Sequence, residues 1–239
     1  MNYQTLAEQF WQEGYLVLEN FFSDEIMDRF NTQIFDYFGE NPEFFHNEEF
    51  LKKAKTEVIP WFPQREGVKE FDYFDTHSEL VNLSKAILGE NWSSLYSMVM
   101  FSKKGTTGQS WHQDCPPEDS RQFNLNRLIY TMDITEDIGG YTLVVPGSHK
   151  SGPVPASEET DTFYEGQVVI QPKKGTLVLL HGHAWHRVEP VIGKYRISTN
   201  FRAIPQGVPE DVTDICVYPT MRYQFTTNTV IEDRLLQKA

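Results

Sequence analysis

From Trp92 onward the chain is a succession of short runs rich in β-branched, aromatic and leucine residues, and no other feature constrains its fold as tightly. Runs near 94–102, 124–134, 141–145, 167–171, 176–181 and 195–203 read as strands. Turn signals separate them, among them Gly139-Gly140, Pro146-Gly147 and Lys174-Gly175. The residues before Trp92 follow a different grammar. Leu6, Phe10 and Trp11 fall at helical spacing over Thr5 to Glu13, with Gly14 as a stop. Tyr15 to Phe22 is a short strand-like run. Ser23 then caps a helix that carries Asp24 and Glu25 in its first turn and Ile26, Phe30, Ile34 and Phe38 on one face. Thr76-His77-Ser78-Glu79 has capping-box form and opens a helix that Gly89 ends. Asn41 to Phe74 lies between these helices and is irregular, aromatic and charged.

Helices first and many short strands after predict a mainly β fold, a double-stranded β-helix (jelly roll, cupin-like) buttressed by N-terminal helices. At 239 residues this is expected to be a single domain. Its helical part covers about 1–91, its jelly-roll core about 92–204, and a proline-bearing tail, 205–239, wraps the barrel. The aromatic share of 14% suits a β-rich core.

A formal net charge of −13 argues against a nucleic-acid partner and against docking on anionic lipid. Cys115 and Cys216 are the only cysteines, so no disulfide framework is expected. The N-terminal residues lack a basic and an apolar signal region, and no apolar run reaches the roughly 18 residues of a membrane span. The expectation is a cytoplasmic protein acting on a small molecule. Its oligomeric state is not legible.

The chemistry concentrates in Trp111-His112-Gln113-Asp114. Alternate residues of a strand share a face, so His112 and Asp114 can point into a barrel together while Gln113 points away. Two imidazoles and a carboxylate on one side of an ion form the facial set that suits non-haem Fe(II) and leaves positions open for other ligands. The second imidazole must come from a distant strand, and His181, His183 and His186 are the candidates. Arg196 then offers a guanidinium fork for a carboxylate ligand.

In combination these motifs are specific. Phe10…Gly14-Tyr15-Leu16-Val17-Leu18-Glu19-Asn20-Phe21 opens the pattern. The His-x-Asp segment, Gly139-Gly140-Tyr141-Thr142-Leu143-Val144-Val145-Pro146-Gly147-Ser148-His149, Gly175-Thr176-Leu177 and Trp185-His186 with Arg196 complete it. Over roughly residues 5 to 203 the chain resembles the phytanoyl-CoA hydroxylase-like family of Fe(II)/2-oxoglutarate-dependent oxygenases. The resemblance implies Fe(II) as metal, 2-oxoglutarate as co-substrate and O2 as oxidant. It places His112, Asp114 and His186 on the metal-ligand positions and Arg196 on the distal carboxylate of 2-oxoglutarate. The interval from His186 to Arg196 fits a hairpin return, with Pro190 and Gly193 in the turn, where His181 or His183 would lengthen it. Ser198 and Thr131 fall where relatives supply hydroxyls to the co-substrate. Relatives often carry Gly-Ser or Ala-Ser after the distal histidine. Here Arg187-Val188 follows, which leaves one co-substrate hydrogen bond to be supplied elsewhere.

Related halogenases lack the carboxylate ligand, so Asp114 implies hydroxylation, or a related desaturation or demethylation, with succinate and CO2 as co-products. A catalytically silent binding protein on the same fold and a zinc hydrolase on the same ligands are the competing readings, and Arg196 weighs against both. The expected substrate is a small polar metabolite or natural-product intermediate. Trp61, Phe62, Arg65 and Tyr73 are candidates for covering the barrel mouth, and Arg121, Asn124 and Arg127 for reaching a polar substrate group. The competing reading for each is an ordinary surface position. His149, His46 and His77 read as structural, surface or cap residues, and Cys115 as a loop residue beside the metal.

Overall fold

The structure is a computed structural model that describes residues 1–39, 58–157 and 162–237. Helix α1 (Tyr3–Glu13) begins at Asn2, whose side chain accepts from the Thr5 amide, and stops at Gly14. Gly14 has a left-handed φ of 79°. A Cβ there would also meet His149 Nδ1 at 2.4 Å, so only glycine serves both the helix stop and the close approach. Ser23 caps α2 (Asp24–Phe38) through the Ile26 amide. Its buried face is Met27, Phe30, Ile34 and Phe38, with the expected Ile26 rotated to the half-buried rim. The capping box shifts by one residue. Thr76 turns its hydroxyl back to Tyr73 O, in the short α3 (Tyr73–Thr76). His77 Nδ1 accepts from the Leu80 amide instead and caps α4 (Ser78–Leu88). His46 lies outside the described residues.

Among the described residues, twelve strands follow the alternation of the sequence. The larger sheet has the order β1 (Tyr15–Leu18), β8 (Leu177–His181), β5 (Leu125–Ile129), β10 (Tyr195–Ile204), β3 (Ser93–Lys103) and β2 (Ile59–Trp61). The smaller has the order β4 (Gln109–His112), β9 (His186–Val188), β6 (Thr142–Val144) and β7 (Val168–Ile170). All these pairings are antiparallel, and neither sheet closes on itself. The N-terminal part is therefore not purely helical. Its β1 and β2 form the two edges of the larger sheet, and β2 lies in the stretch expected to be irregular.

Period 2 assigns the faces of the larger sheet. Val99, Phe101, Ile129, Leu177, Leu179, Ile197 and Phe201 point outward and are covered by Phe10, Phe30, Ile34, Phe74 and Leu83 of the helices. Met98, Met100, Leu128, Val178 and Leu180 point inward against Val144 and Ile170 of the smaller sheet. This two-layer arrangement with helices on one outer face is the expected jelly roll. Arg127 belongs to the helix-covered side. It is fully buried and donates to Asp75, Ser94 Oγ and Phe201 O, so it ties β5 to α3 rather than reaching a substrate.

The C-terminal segment folds back over one end of the barrel. A 3-10 turn (Glu210–Asp214) leads into the hairpin β11 (Ile215–Val217) and β12 (Arg222–Gln224), followed by α5 (Thr227–Gln237). Val217 exchanges both backbone hydrogen bonds with Gln113, at 2.9 Å each. Among the described residues no helix is long and apolar enough to cross a membrane.

Phe30 packs its ring at 5.0 Å from Phe71 and 4.3 Å from Phe74, with no exposure. Phe30→Ala is expected to cost about 3–5 kcal/mol of stability in a denaturant titration. A loss below about 1 kcal/mol would contradict the helix-on-sheet core described here.

Candidate metal centre

Register brings the two imidazoles together. His112, the last residue of β4, lies directly opposite His186, the first of β9. Between the Gln109↔Val188 and His112↔His186 pairs β4 carries one residue more than β9, a bulge that re-aims the strand end. The rings sit 4.1 Å apart, centroid to centroid. Asp114 follows two residues on, anchored by its amide to Gly182 O at 2.8 Å. Its Oδ1 is 3.8 Å from His112 Nε2 and its Oδ2 3.6 Å from His186 Nε2. The three buried donor atoms converge within 4.8 Å of one another.

The tautomers are fixed by the backbone. His112 Nδ1 lies 2.8 Å from Ser110 O, and His186 Nδ1 2.9 Å from Ala184 O. Only a ring N–H can face a carbonyl oxygen, so Nδ1 carries the proton and the Nε2 lone pair is free to ligate. Burial, with His186 alongside, pushes the His112 pKa down to about 3, so this imidazole stays neutral at ordinary pH. Burial alone would raise the Asp114 pKa. Arg202 and the two imidazoles outweigh it, and the carboxyl is held below its usual range. Two imidazole nitrogens and one carboxylate, converging in the buried interior, match a facial site for a divalent first-row ion.

Gln113 points away, as alternation requires. It is buried behind the site, donating to His183 O at 2.7 Å and accepting from the Val154 amide at 3.0 Å. His181 falls on the outer face of β8 and stacks on Phe123 at 4.3 Å, beside Phe10 and Trp11 of α1. His183 lies with Nε2 3.1 Å from Gln122 O. His149 Nε2 faces Trp11 O. These three imidazoles stand together behind the barrel wall. Burial pushes the Cys115 thiol pKa well up, so it stays a thiol.

Arg196 lies at the other end of the inner face of β10. It donates to Gly140 O at 2.7 Å, Ser198 Oγ at 2.9 Å and Thr142 Oγ1 at 3.2 Å. It is buried, and none of the carboxylates among the described residues pairs with it. Burial lowers its pKa, and the Tyr130 phenol opposes this without cancelling it. Thr142 sits two residues along β6 from Val144, the partner of His186. The guanidinium and the imidazole thus attach to β6 positions about 7 Å apart along one strand face. Gly140 makes this packing possible. A Cβ there would meet Arg196 Cδ at 2.5 Å, and its φ is 72°.

Ser198 is therefore beside Arg196, while Thr131 is not. Thr131 Oγ1 donates to Asn31 Oδ1 of α2, on the helix-covered side, the face it shares by alternation with Ile129. The second hydroxyl at Arg196 comes from Thr142. The mouth candidates also separate. Trp61 stacks on Tyr37 at 4.2 Å in the helix-side core, and Phe62 is buried between the sheets with Tyr96. Tyr73 packs on Phe30 and Arg29, and Arg65 is exposed, 5.8 Å over the Tyr96 ring. Arg121 pairs with Asp119 at the surface, and Asn124 is buried against Asn126.

Sequence reasoning missed Arg202, Asn126, Asn200 and Tyr218. Arg202 donates to Asp114 Oδ1 at 2.9 Å, and Asn126 to Oδ2 at 2.8 Å. Asn200 donates to Asn126 Oδ1 at 2.8 Å. A signal for two of them exists. Arg196-Arg202 alternates Arg, Ser, Asn, Arg on one face against Ile197, Thr199 and Phe201 on the other. Tyr218 lays its ring on His112, 5.3 Å away and 18° from parallel, and nothing local to the tail foretells it.

Comparison with known proteins agrees with this architecture. The family model for phytanoyl-CoA dioxygenase (PhyH) matches residues 10–195. The dioxygenase hkm4 of Aspergillus hancockii is 24% identical over 210 residues, covering 77% of this chain. The match spans 64% of that relative's length. A structure of the epimerase SnoN with Fe3+, alpha-ketoglutarate and nogalamycin RO superposes with a TM-score of 0.67 at 15% identity, covering 87% of this chain and 86% of that one. HygX from Streptomyces hygroscopicus, with nickel, 2-oxoglutarate and hygromycin B bound, gives 0.69 at 15% identity, covering 88% and 89%. The solved structures support the jelly-roll fold, and the family model, matching well over half of the chain, shows that it belongs to the phytanoyl-CoA dioxygenase family.

Proposed function

We propose that this protein is an Fe(II)/2-oxoglutarate-dependent oxygenase that hydroxylates a small polar metabolite or natural-product intermediate, releasing succinate and CO2. One observation carries the co-substrate reading: the buried Arg196 has no carboxylate partner among the described residues and attaches to the same face of β6 as His186. An isolated buried cation is costly, and a ligand carboxylate in a two-pronged contact relieves that cost. His112, Asp114 and His186 would hold the iron. Iron bound there would supply oxygen activation coupled to oxidative decarboxylation of 2-oxoglutarate.

The chain's own residues do the rest. The carbonyls of Ser110 and Ala184 hold both imidazoles in the ligating tautomer. Ser198 and Thr142 orient the guanidinium, and their hydroxyls flank the place where a carboxylate would dock. Met98, Met100, Leu128 and Val144 keep the interior apolar, so water competes little for the site. Asp114 occupies the carboxylate-ligand position, which favours hydroxylation. The natural-product class draws support from the neighbours crystallised with nogalamycin RO and hygromycin B.

Anaerobic protein with Fe(II) and 2-oxoglutarate is expected to show a weak visible charge-transfer band that His112→Ala and Asp114→Ala abolish. Retention of wild-type iron affinity and absorption by either variant contradicts the metal assignment. His186→Ala is expected to end succinate formation. His181→Ala, on the outer face of β8, is expected to keep it and lose stability instead. The reverse pattern would mean that the distal ligand is misassigned.

Arg196→Ala should raise the 2-oxoglutarate requirement while leaving iron bound. The lost pair is worth about 2–5 kcal/mol, on the order of 30- to 3000-fold in affinity. Gly140→Ala should move in the same direction by displacing the Arg196 side chain. Unchanged 2-oxoglutarate affinity in both variants would put the co-substrate elsewhere.

A further inference from the structure

Asp114 is held at both oxygens, by Arg202 at Oδ1 and by Asn126 at Oδ2. All three side chains are buried. Arg202 is itself anchored, its Nη1 donating to Tyr96 Oη on β3 at 3.0 Å. Tyr96 Oη in turn lies 3.0 Å from Thr213 Oγ1, in the 3-10 turn of the C-terminal segment. A few residues on, the same segment bridges Gln113 through Val217 and stacks Tyr218 on His112. The segment therefore reaches both members of the His-x-Asp pair, once through hydrogen bonds and once through ring contact. It lies outside the stretch matched by the family model.

A carboxylate gripped at both oxygens cannot rotate about its Cβ–Cγ bond without breaking one of its hydrogen bonds, while each oxygen keeps a second lone pair to turn toward an ion. The Arg202 bond is charge-assisted and among the stronger kinds. The planar guanidinium donates to Asp114 and Tyr96 in fixed directions at once, which a lysine ammonium on a flexible stem does not reproduce.

We propose that Arg202, braced by the C-terminal segment through Tyr96 and Thr213, is a positioning residue of the metal centre that fixes the orientation in which Asp114 faces His112 and His186. The inference rests on the iron reading of the triad. Arg202 acts through Asp114 and touches neither the ion nor the substrate.

The test titrates metal-free protein with Fe(II) anaerobically, and with Co(II) while its d–d absorption is followed. Wild type is compared with Arg202→Met, Arg202→Lys, Tyr96→Phe and His112→Ala, after circular dichroism of each. Arg202→Met is expected to lose about 10- to 100-fold in metal affinity, the usual size of an effect exerted through a ligand's hydrogen-bond partner, and to shift the Co(II) bands. Arg202→Lys should restore little of either, because it keeps the charge without the fork. Tyr96→Phe should shift the bands in the same direction with a smaller loss, although it contacts neither Asp114 nor the ion. A merely structural role would leave affinity and bands of the folded protein unchanged, and folded Arg202→Met with wild-type values overturns the proposal. If Arg202→Met does not fold, Tyr96→Phe decides, and a wild-type spectrum there overturns it equally. Wild-type protein that binds no metal, or binds it regardless of His112, refutes the iron reading itself. Binding that needs His112 but ignores Arg202 and Tyr96 refutes this inference alone.

Discussion

The pairing of His112 with His186 across β4 and β9 is the contact on which the site depends. Two strands from distant parts of the chain must meet in one register, and a slip of one residue would turn an imidazole out of the barrel. The bulge in β4 absorbs the mismatch between its length and that of β9. It also lets the chain leave the strand at once, so that Asp114 can return to Gly182 rather than continue along the sheet. On the far side of β9, Val144 and Thr142 carry the same register to Arg196. One set of cross-strand pairs therefore places both the metal donors and the guanidinium.

Much of this was legible because alternation in a strand is a strong signal. The strand runs, the caps at Ser23 and Gly14, the inward His112 and Asp114, and Arg196 follow from residue type and spacing, while Ser198 beside Arg196 came from the family resemblance. What failed did so for identifiable reasons. Thr131 was placed by family resemblance, but it shares the outer face of Ile129, and Asn31 of α2 takes its hydroxyl. Arg127 reads as a surface cation because nothing local reveals that α3 will supply Asp75. Thr76 and His77 compete for one cap, and a preceding helical turn, invisible to the capping pattern, decides between them. Tyr218 and Thr213 depend on contacts across about half of the chain, which no window of sequence contains.

Two buried arginines on one strand face show how context separates residues of one type. Arg202 lies against Asp114, and the carboxylate answers its charge. Arg196, six positions earlier on the same face, meets only hydroxyls, a carbonyl and the Tyr130 ring. Complementarity within the chain marks the first as architecture. Its lack is the ground on which the second is proposed to receive a charge from outside.

The bracing of Asp114 by the C-terminal segment has a consequence for biosynthesis. The Arg202–Asp114 bond joins residues 88 apart, and the Tyr96–Thr213 contact joins residues 117 apart. Contacts of such long range form late, since the intervening loop must close first. A chain emerging from the ribosome can present His112 and Asp114 long before Arg202, Thr213 and Tyr218 exist to organise them. On the proposed iron reading, an ion that met the chain earlier would find His112 and Asp114 without the side chains that hold Asp114 in place.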